Sequence, residues 1–358
     1  MSSNTELFFS LLRNALWHQE EALPKVLSQK DSSVILQLGE EQTVSGLIID
    51  ALFRNDIHIE QNAVFESIGV LEQIKESNRQ LNKELTQFAD LMKQSKIEYA
   101  VVKGQTIASL YLEPLLRMPG DIDFLIKDYR SSTQLIEKAW SVSFPQKLLE
   151  KEYAFTHNDT TYELHTALIQ FAGSSHQHVW ASMMTEEYHT IQVDGVQVNT
   201  LQPEVNVIYV FVHLFFHFIR EGVGLRQLCD WAMVHHHYAK SIDSTQLEKK
   251  LHGLGISKAY KAFGCILVEH LGLKAFPIKL DANDRKYSER ILNDVLKCGN
   301  FGHATRGFQK VGLAYKIETL RRTTRNCLRY FRLAPLELAL MIPRLVLLNL
   351  KIIISRNI

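Results

Sequence analysis

Cysteine is scarce: the 358-residue chain has four, Cys229, Cys265, Cys298 and Cys327, and no CxxC pair. That argues against a zinc ribbon, a dithiol redox motif and a disulfide scaffold, and makes reducing cytoplasm the expected compartment. Excess charge is missing too. Forty Lys and Arg stand against 39 Asp and Glu, a formal charge of +1, so no global field draws in nucleic acid or anionic lipid and any basic site must be local. The opening MSSNTELFFSLLRNALW carries an early acid, a short apolar stretch and no small-residue cleavage site, which is unlike a signal peptide. A long apolar run is absent as well. The one candidate, Leu333 to Ile354, is broken by Pro335, Glu337, Pro343, Arg344, Asn349 and Lys351, so no transmembrane segment is expected. Internal repeats and low-complexity stretches are lacking.

What is present is the composition of a folded protein, 46% hydrophobic and 22% charged. Single cores stop growing at roughly 250 to 300 residues, so two packed units are expected. Residues 1–90 read as helical, with apolar residues three and four apart. In VFESIGVLEQIKESNRQLNKELTQFADLM the spacing puts Val64, Ile68, Leu71, Ile74, Leu81, Leu85, Phe88 and Met92 near one face of a long helix. Residues 91–202 change texture. IEYAVV reads as a strand, Lys103-Gly104 as a turn, QTIASLYL as a helix and DIDFLIK as a second strand after Met118-Pro119-Gly120. Asn158-Asp159-Thr160 and Asp194-Gly195 each sit between strand-like segments and predict two hairpins. Residues 203–358 read as helical again. The expected fold class is α+β: a mixed sheet with flanking helices, a helical N-terminal region and a helical C-terminal domain. The apolar tail is expected to pack on the body or on another subunit, so a homo-oligomer stays open.

The chemistry concentrates around Gly120-Asp121-Ile122-Asp123. Strand side chains alternate, so Asp121 and Asp123 project the same way, roughly 6 to 7 Å apart. Like charges at that distance are costly, and a shared divalent cation relieves them, with magnesium the natural candidate and manganese the alternative. In Tyr162-Glu163-Leu164-His165, Glu163 and His165 share a face. If that strand lies beside DIDFLIK, three carboxylates surround one spot, the arrangement used by two-metal phosphoryl and nucleotidyl transfer. Glu163 is then a ligand and a candidate general base. Gly104, after a strand and before a helix, allows close approach of backbone to phosphate. Lys103 and Arg117 add positive charge that a triphosphate needs beside acids.

KG, the stretch LYLEPLLR, GDIDFLI and then YELH resemble the uncharacterised bacterial nucleotidyltransferase family of the DNA polymerase beta-like superfamily. The resemblance runs on into HLFFHFIREGVGLRQLCDWA and Gly299-Asn300-Phe301-Gly302, and covers most of residues 85–310. It implies a nucleoside triphosphate substrate, magnesium dependence, and Asp121, Asp123 and Glu163 as metal ligands. Lys103, Gly104, Gln105 and Arg117 become the phosphate-binding candidates, although many superfamily members have Ser where this chain has Gln105. The implied reaction moves a nucleoside monophosphate onto a hydroxyl or phosphate, releasing pyrophosphate. The weak basic and aromatic content of the catalytic stretch argues against a nucleic-acid-tracking polymerase and for a small-molecule, sugar or protein acceptor. A catalytically inactive nucleotide-binding or protein-interaction module on the same fold is the alternative.

Other signals have plainer readings. Arg117 can pair with Glu113 one helical turn earlier, and Arg226 with Asp230. His213 and His217 lack the Glu and third ligand of a zinc site, which favours core or interdomain hydrogen bonds. If their helix caps the cleft, His217 is a candidate substrate contact, as are His165 and Arg226. His235-His236-His237 cannot all face one way and read as a partly exposed helix end. Arg321, Arg322, Arg325, Arg329 and Arg332 read as a solvated helix face.

Overall fold

In the computed structural model, residues 3–146, 148, 151–184, 187–300 and 313–344 are described, with 313–317 followed in backbone only. Three helices open the chain: α1 (Ser3–Trp17), α2 (Gln29–Glu41) and α3 (Ser45–Arg54). They lead into α4 (Gln61–Gln94), 34 residues and about 51 Å long by helical rise. Its buried positions Leu71, Ile74, Leu81, Leu85, Phe88 and Met92 keep the expected spacing. Ile68 departs from it, 46% exposed, because this part of α4 buries the face that carries Ser67 and Leu71.

The α/β portion follows as β1 (Tyr99–Val102), α5 (Gly104–Ala108), β2 (Ile122–Ile126), α6 (Tyr129–Trp140), β3 (Glu152–His157) and β4 (Thr160–His165). Sheet order is β1-β2-β4-β3; β2 and β4 run parallel, and the outer pairs are antiparallel. The hairpin β3–β4 turns through Asn158 and Asp159, both at positive φ, as a type I′ turn requires. The mixed sheet with flanking helices is thus the expected one. Asp128 caps α6 by accepting from the Ser131 N–H. After α7 (Ser174–Met183), a second hairpin, β5 (His189–Val193) and β6 (Val196–Thr200), turns at Asp194-Gly195 and packs beside β1.

The helix expected over QTIASLYL is shorter than its pattern suggested. α5 stops at Ala108, and Pro114–Leu116 form a separate 3-10 turn. Pro114 restricts the residue before it and supplies no N–H, so a continuous helix to Arg117 is not available.

Six further helices are α8 (Pro203–Arg220), α9 (Leu225–Tyr238), α10 (Ser244–Gly253), α11 (Ser257–Glu269), α12 (Ala282–Cys298) and α13 (Leu313–Arg329), with residues 335–344 again helical. Buried apolar side chains form two clusters. The larger joins α1–α3 to the C-terminal helices. The smaller lies on the sheet and takes Leu81, Leu85, Phe88 and Met92 from the far half of α4. Phe88, Phe124, Trp140, Phe155 and Tyr162 meet there, ring centroids 4.5 to 6.5 Å apart, a favourable aromatic spacing. The four cysteines are free thiols. Among the described residues no helix is long and apolar enough to cross a membrane; Phe301, Gly302 and the tail beyond 344 lie outside them.

Candidate functional site

The parallel pairing of β2 with β4 sets Asp123 directly beside Glu163. Both carboxylates line a cleft of about 250 Å³ together with Lys103, Gly104, Arg117, Asp121, His217 and Arg226. The helix α8 closes one side, contributing Val210, His213, Leu214 and His217. Of the residues expected to bind metal, phosphate or substrate, Gln105 and His165 do not line this space.

Asp123 is the centre of the charges. Its Oδ1 stands 2.8 Å from Lys103 Nζ and 2.9 Å from His165 Nε2, and the residue is 2% exposed. Burial opposes ionisation of Asp123, yet the Lys103 ammonium and the His165 hydrogen bond hold the carboxyl well below its ordinary range. For Lys103 the same contest is won by Asp123, so the ammonium keeps its proton although the side chain is largely buried. His165 touches Glu163 at 3.7 Å on one nitrogen and Glu152 at 3.4 Å on the other. Burial disfavours the imidazolium, but the hydrogen bond to Asp123 and the nearby Glu152 carboxylate raise the ring's pKa overall. Glu152 is pulled down to about 2, first by His165.

The remaining acids are strained by one another. Burial and then repulsion from Asp123 and Asp121 push Glu163 up to about 7. Asp121 is raised by burial and by Asp123. Among the described residues, Asp123, Glu163 and His165 form a group whose ligand atoms lie within 4.8 Å of one another. Asp121 lines the same cleft outside that group. Two carboxylates with raised affinity for protons, beside a third that is ionised, are a donor set that fits a divalent cation.

Backbone conformation explains how Lys103 reaches Asp123. Lys103 has φ 60° and ψ −150°, a region that only glycine enters freely. Gly104 follows at φ +48°, and a Cβ there would meet the Asp121 carbonyl oxygen at 3.0 Å. Strain and close approach coincide at this turn; the glycine turn was expected from the sequence, the strained backbone of Lys103 was not.

Arg117 and Arg226 do not make the pairs expected from helical spacing. Arg117 donates to both carboxylate oxygens of Asp230, at 2.7 and 2.9 Å, and Tyr111 donates to the same group at 2.8 Å. Glu113 is no partner because residues 113–117 are not α-helical. Arg226 donates instead to the Met118 and Pro119 carbonyls, and its Nε is buried without a hydrogen-bond partner. Asp230 was legible only as a helical neighbour; its true partner is 113 residues away.

Gln105 turns away from the cleft and donates to Asn82 Oδ1 of α4 at 2.6 Å. His213 Nε2 on α8 lies 3.4 Å from Lys103 Nζ at the end of β1, and burial depresses the His213 imidazole. His217 lies 3.2 Å from Glu221. Away from the cleft, His235 is buried against the Tyr260 hydroxyl at 2.9 Å while His236 and His237 are exposed. Arg321, Arg325, Arg329 and Arg332 are exposed, and Arg322 donates to the Arg220 carbonyl.

A family model described as uncharacterised nucleotidyltransferase matches residues 28–272, more than half of the chain. Among solved structures, an antigenic nucleotidyltransferase-like protein from Paracoccidioides brasiliensis is similar at 16% identity, covering 54% of this chain and 93% of that one with a TM-score of 0.31. No curated protein matches the chain.

Proposed function

The chain belongs to the uncharacterised nucleotidyltransferase family, and we propose that it transfers a nucleoside monophosphate from a nucleoside triphosphate to a hydroxyl or phosphate of a small molecule, sugar or protein. The observation that carries this reading is the register of Asp123 beside Glu163 on parallel strands, with Asp121 lining the same cleft. Asp121, Asp123 and Glu163 would hold magnesium or manganese, which when bound supplies charge neutralisation at the phosphates. The acceptor oxygen attacks the α-phosphorus, the α–β anhydride bond breaks, and pyrophosphate leaves. Glu163 is also the candidate base that takes the acceptor proton. Lys103 and the unpartnered Nε of Arg226 offer positive charge to phosphate oxygens. Arg117, engaged by Asp230, positions the Met118–Gly120 turn instead.

One observation favours a second reading. The Lys103 ammonium already neutralises Asp123 at 2.8 Å, as a protein that binds nucleotide without turnover could do. Incubation with each α-labelled triphosphate, metal and a panel of acceptors decides between them. Labelled acceptor and pyrophosphate from wild type but not from Asp123→Asn support transfer. Metal-dependent thermal stabilisation by nucleotide with no turnover on any acceptor supports the second reading.

A further inference from the structure

A second pocket, about 110 Å³, shares His213 and His217 of α8 with the acid cleft. Lys103 Nζ touches Asp123 Oδ1 at 2.8 Å and His213 Nε2 at 3.4 Å, so the wall common to both spaces stands one ammonium away from the carboxylates. Beyond that wall the lining changes sign. Lys151, Arg220 and Arg344 bring three cations, and Glu337 is the acid among the described residues that line it. Glu337 is 1% exposed, and its oxygens accept from the Ala172 and Gly173 N–H groups, with His176 Nδ1 at 3.2 Å. Arg344 gives its hydrogen bonds to neutral groups, the Gln170 and Phe171 carbonyls and Gln170 Oε1. Arg220 has no ion-pair or side-chain hydrogen-bond partner among the described residues. Lys151 alone of the three meets a carboxylate, Glu152 at 2.7 Å.

Two guanidinium groups at one pocket thus lack a counter-charge, and their planar forks match the oxygens of a phosphate. Three cations around one spot favour a dianionic phosphate over a single carboxylate. At about 110 Å³ the pocket is well below the roughly 300 Å³ at which pockets for whole ligands begin, so it suits one oxyanion and not a nucleoside. Neither the Lys103-Gly104 turn nor Arg226 lines it, which sets it apart from the donors offered to the triphosphate. We propose that this pocket anchors a phosphate group carried by the acceptor, and that a hydroxyl of the same molecule, reaching past His213 and His217, is the nucleophile. The hydroxyl oxygen bonds to the α-phosphorus, the α–β anhydride bond breaks, pyrophosphate leaves with that bond's electrons, and the hydroxyl proton passes to the base. The acceptor role rests on the transferase reading; phosphate binding by the pocket does not.

The binding probe is glycerol phosphate, followed by phosphorus NMR line broadening with the full chain in metal-free buffer. Arg220→Gln binds it at least about fivefold more weakly than wild type with an unchanged melting temperature, and Arg220→Lys restores most of the affinity. No binding by wild type, or binding untouched by Arg220→Gln, overturns the pocket. Thermal stabilisation by magnesium and nucleoside triphosphate separates the two sources of phosphate. It is unchanged in Arg220→Gln when the acceptor's phosphate is the occupant; its loss gives the pocket to the triphosphate and overturns the assignment. Turnover is then compared for glycerol phosphate against glycerol and for a hexose phosphate against its hexose. The phosphorylated member of each pair is preferred, and Arg220→Gln raises its KM at least about tenfold with kcat within about threefold of wild type. Labelling of other acceptors but of no phosphorylated one overturns the acceptor role and leaves the transferase reading intact. No turnover on any acceptor sinks the transferase reading, while the binding result for the pocket stands.

Discussion

Arg117 and Asp230 hold each other by two hydrogen bonds, 2.7 and 2.9 Å, in a place where both side chains are below a tenth exposed. The pair ties the turn before Asp121 to α9, so the orientation of the acid-bearing strand depends on a residue from the C-terminal helices. Asp230→Ala strands a buried guanidinium and should cost about 3–5 kcal/mol in urea unfolding. Arg117→Met combined with Asp230→Leu should recover most of that loss. Equal losses for the single and double variants would show that the charge is not what matters.

Backbone strain at Lys103 separates from its charge by comparing two variants. Lys103→Gly and Lys103→Ala both remove the ammonium, but only glycine accepts φ 60° freely. The glycine variant should be more stable than the alanine variant by about 1–2 kcal/mol in denaturant titrations. Identical midpoints would mean that the turn stores no strain.

Glu163→Gln preserves shape and removes the proton acceptor. It should lower turnover by about 10²–10⁴-fold, while nucleotide-dependent thermal stabilisation persists in reduced form. Turnover within threefold of wild type would exclude Glu163 as the base.

Acid sensitivity should have a contribution from His235, far from the cleft. Burial depresses its imidazole to about 3 in the folded chain, against 6.5 for the ordinary group. The unfolded chain therefore takes up the proton first as pH falls. The neutral ring's contribution is fully present above pH 6.5 and declines towards pH 3 by about 1.4 kcal/mol per pH unit. Unfolding free energies of wild type and His235→Gln, measured from pH 7 to 4, should converge as pH drops. Parallel curves would show that His235 is not titrating between the states.

The strands and their turns were readable because local chemistry determines them. Asn158-Asp159 and Asp194-Gly195 tolerate the positive φ of tight hairpins, and the alternation around Asp123 and Glu163 aims both at one face. The pairing of Arg117 with Asp230, the turn of Gln105 towards Asn82 and the exposure of Ile68 were not readable. Each is settled by which elements pack together, and helical spacing names only the nearest candidate partner. The Lys103–Asp123 contact lies between: both residues stood out, but the backbone that joins them is one that lysine rarely adopts.

The far half of α4 roofs the reverse side of the sheet with Leu81, Leu85, Phe88 and Met92. A gene fragment starting at residue 95 would therefore leave Phe124 and Tyr162 facing water across a bare wall. Such a fragment should be recovered from inclusion bodies, whereas one that begins at Gln61 brings its own roof.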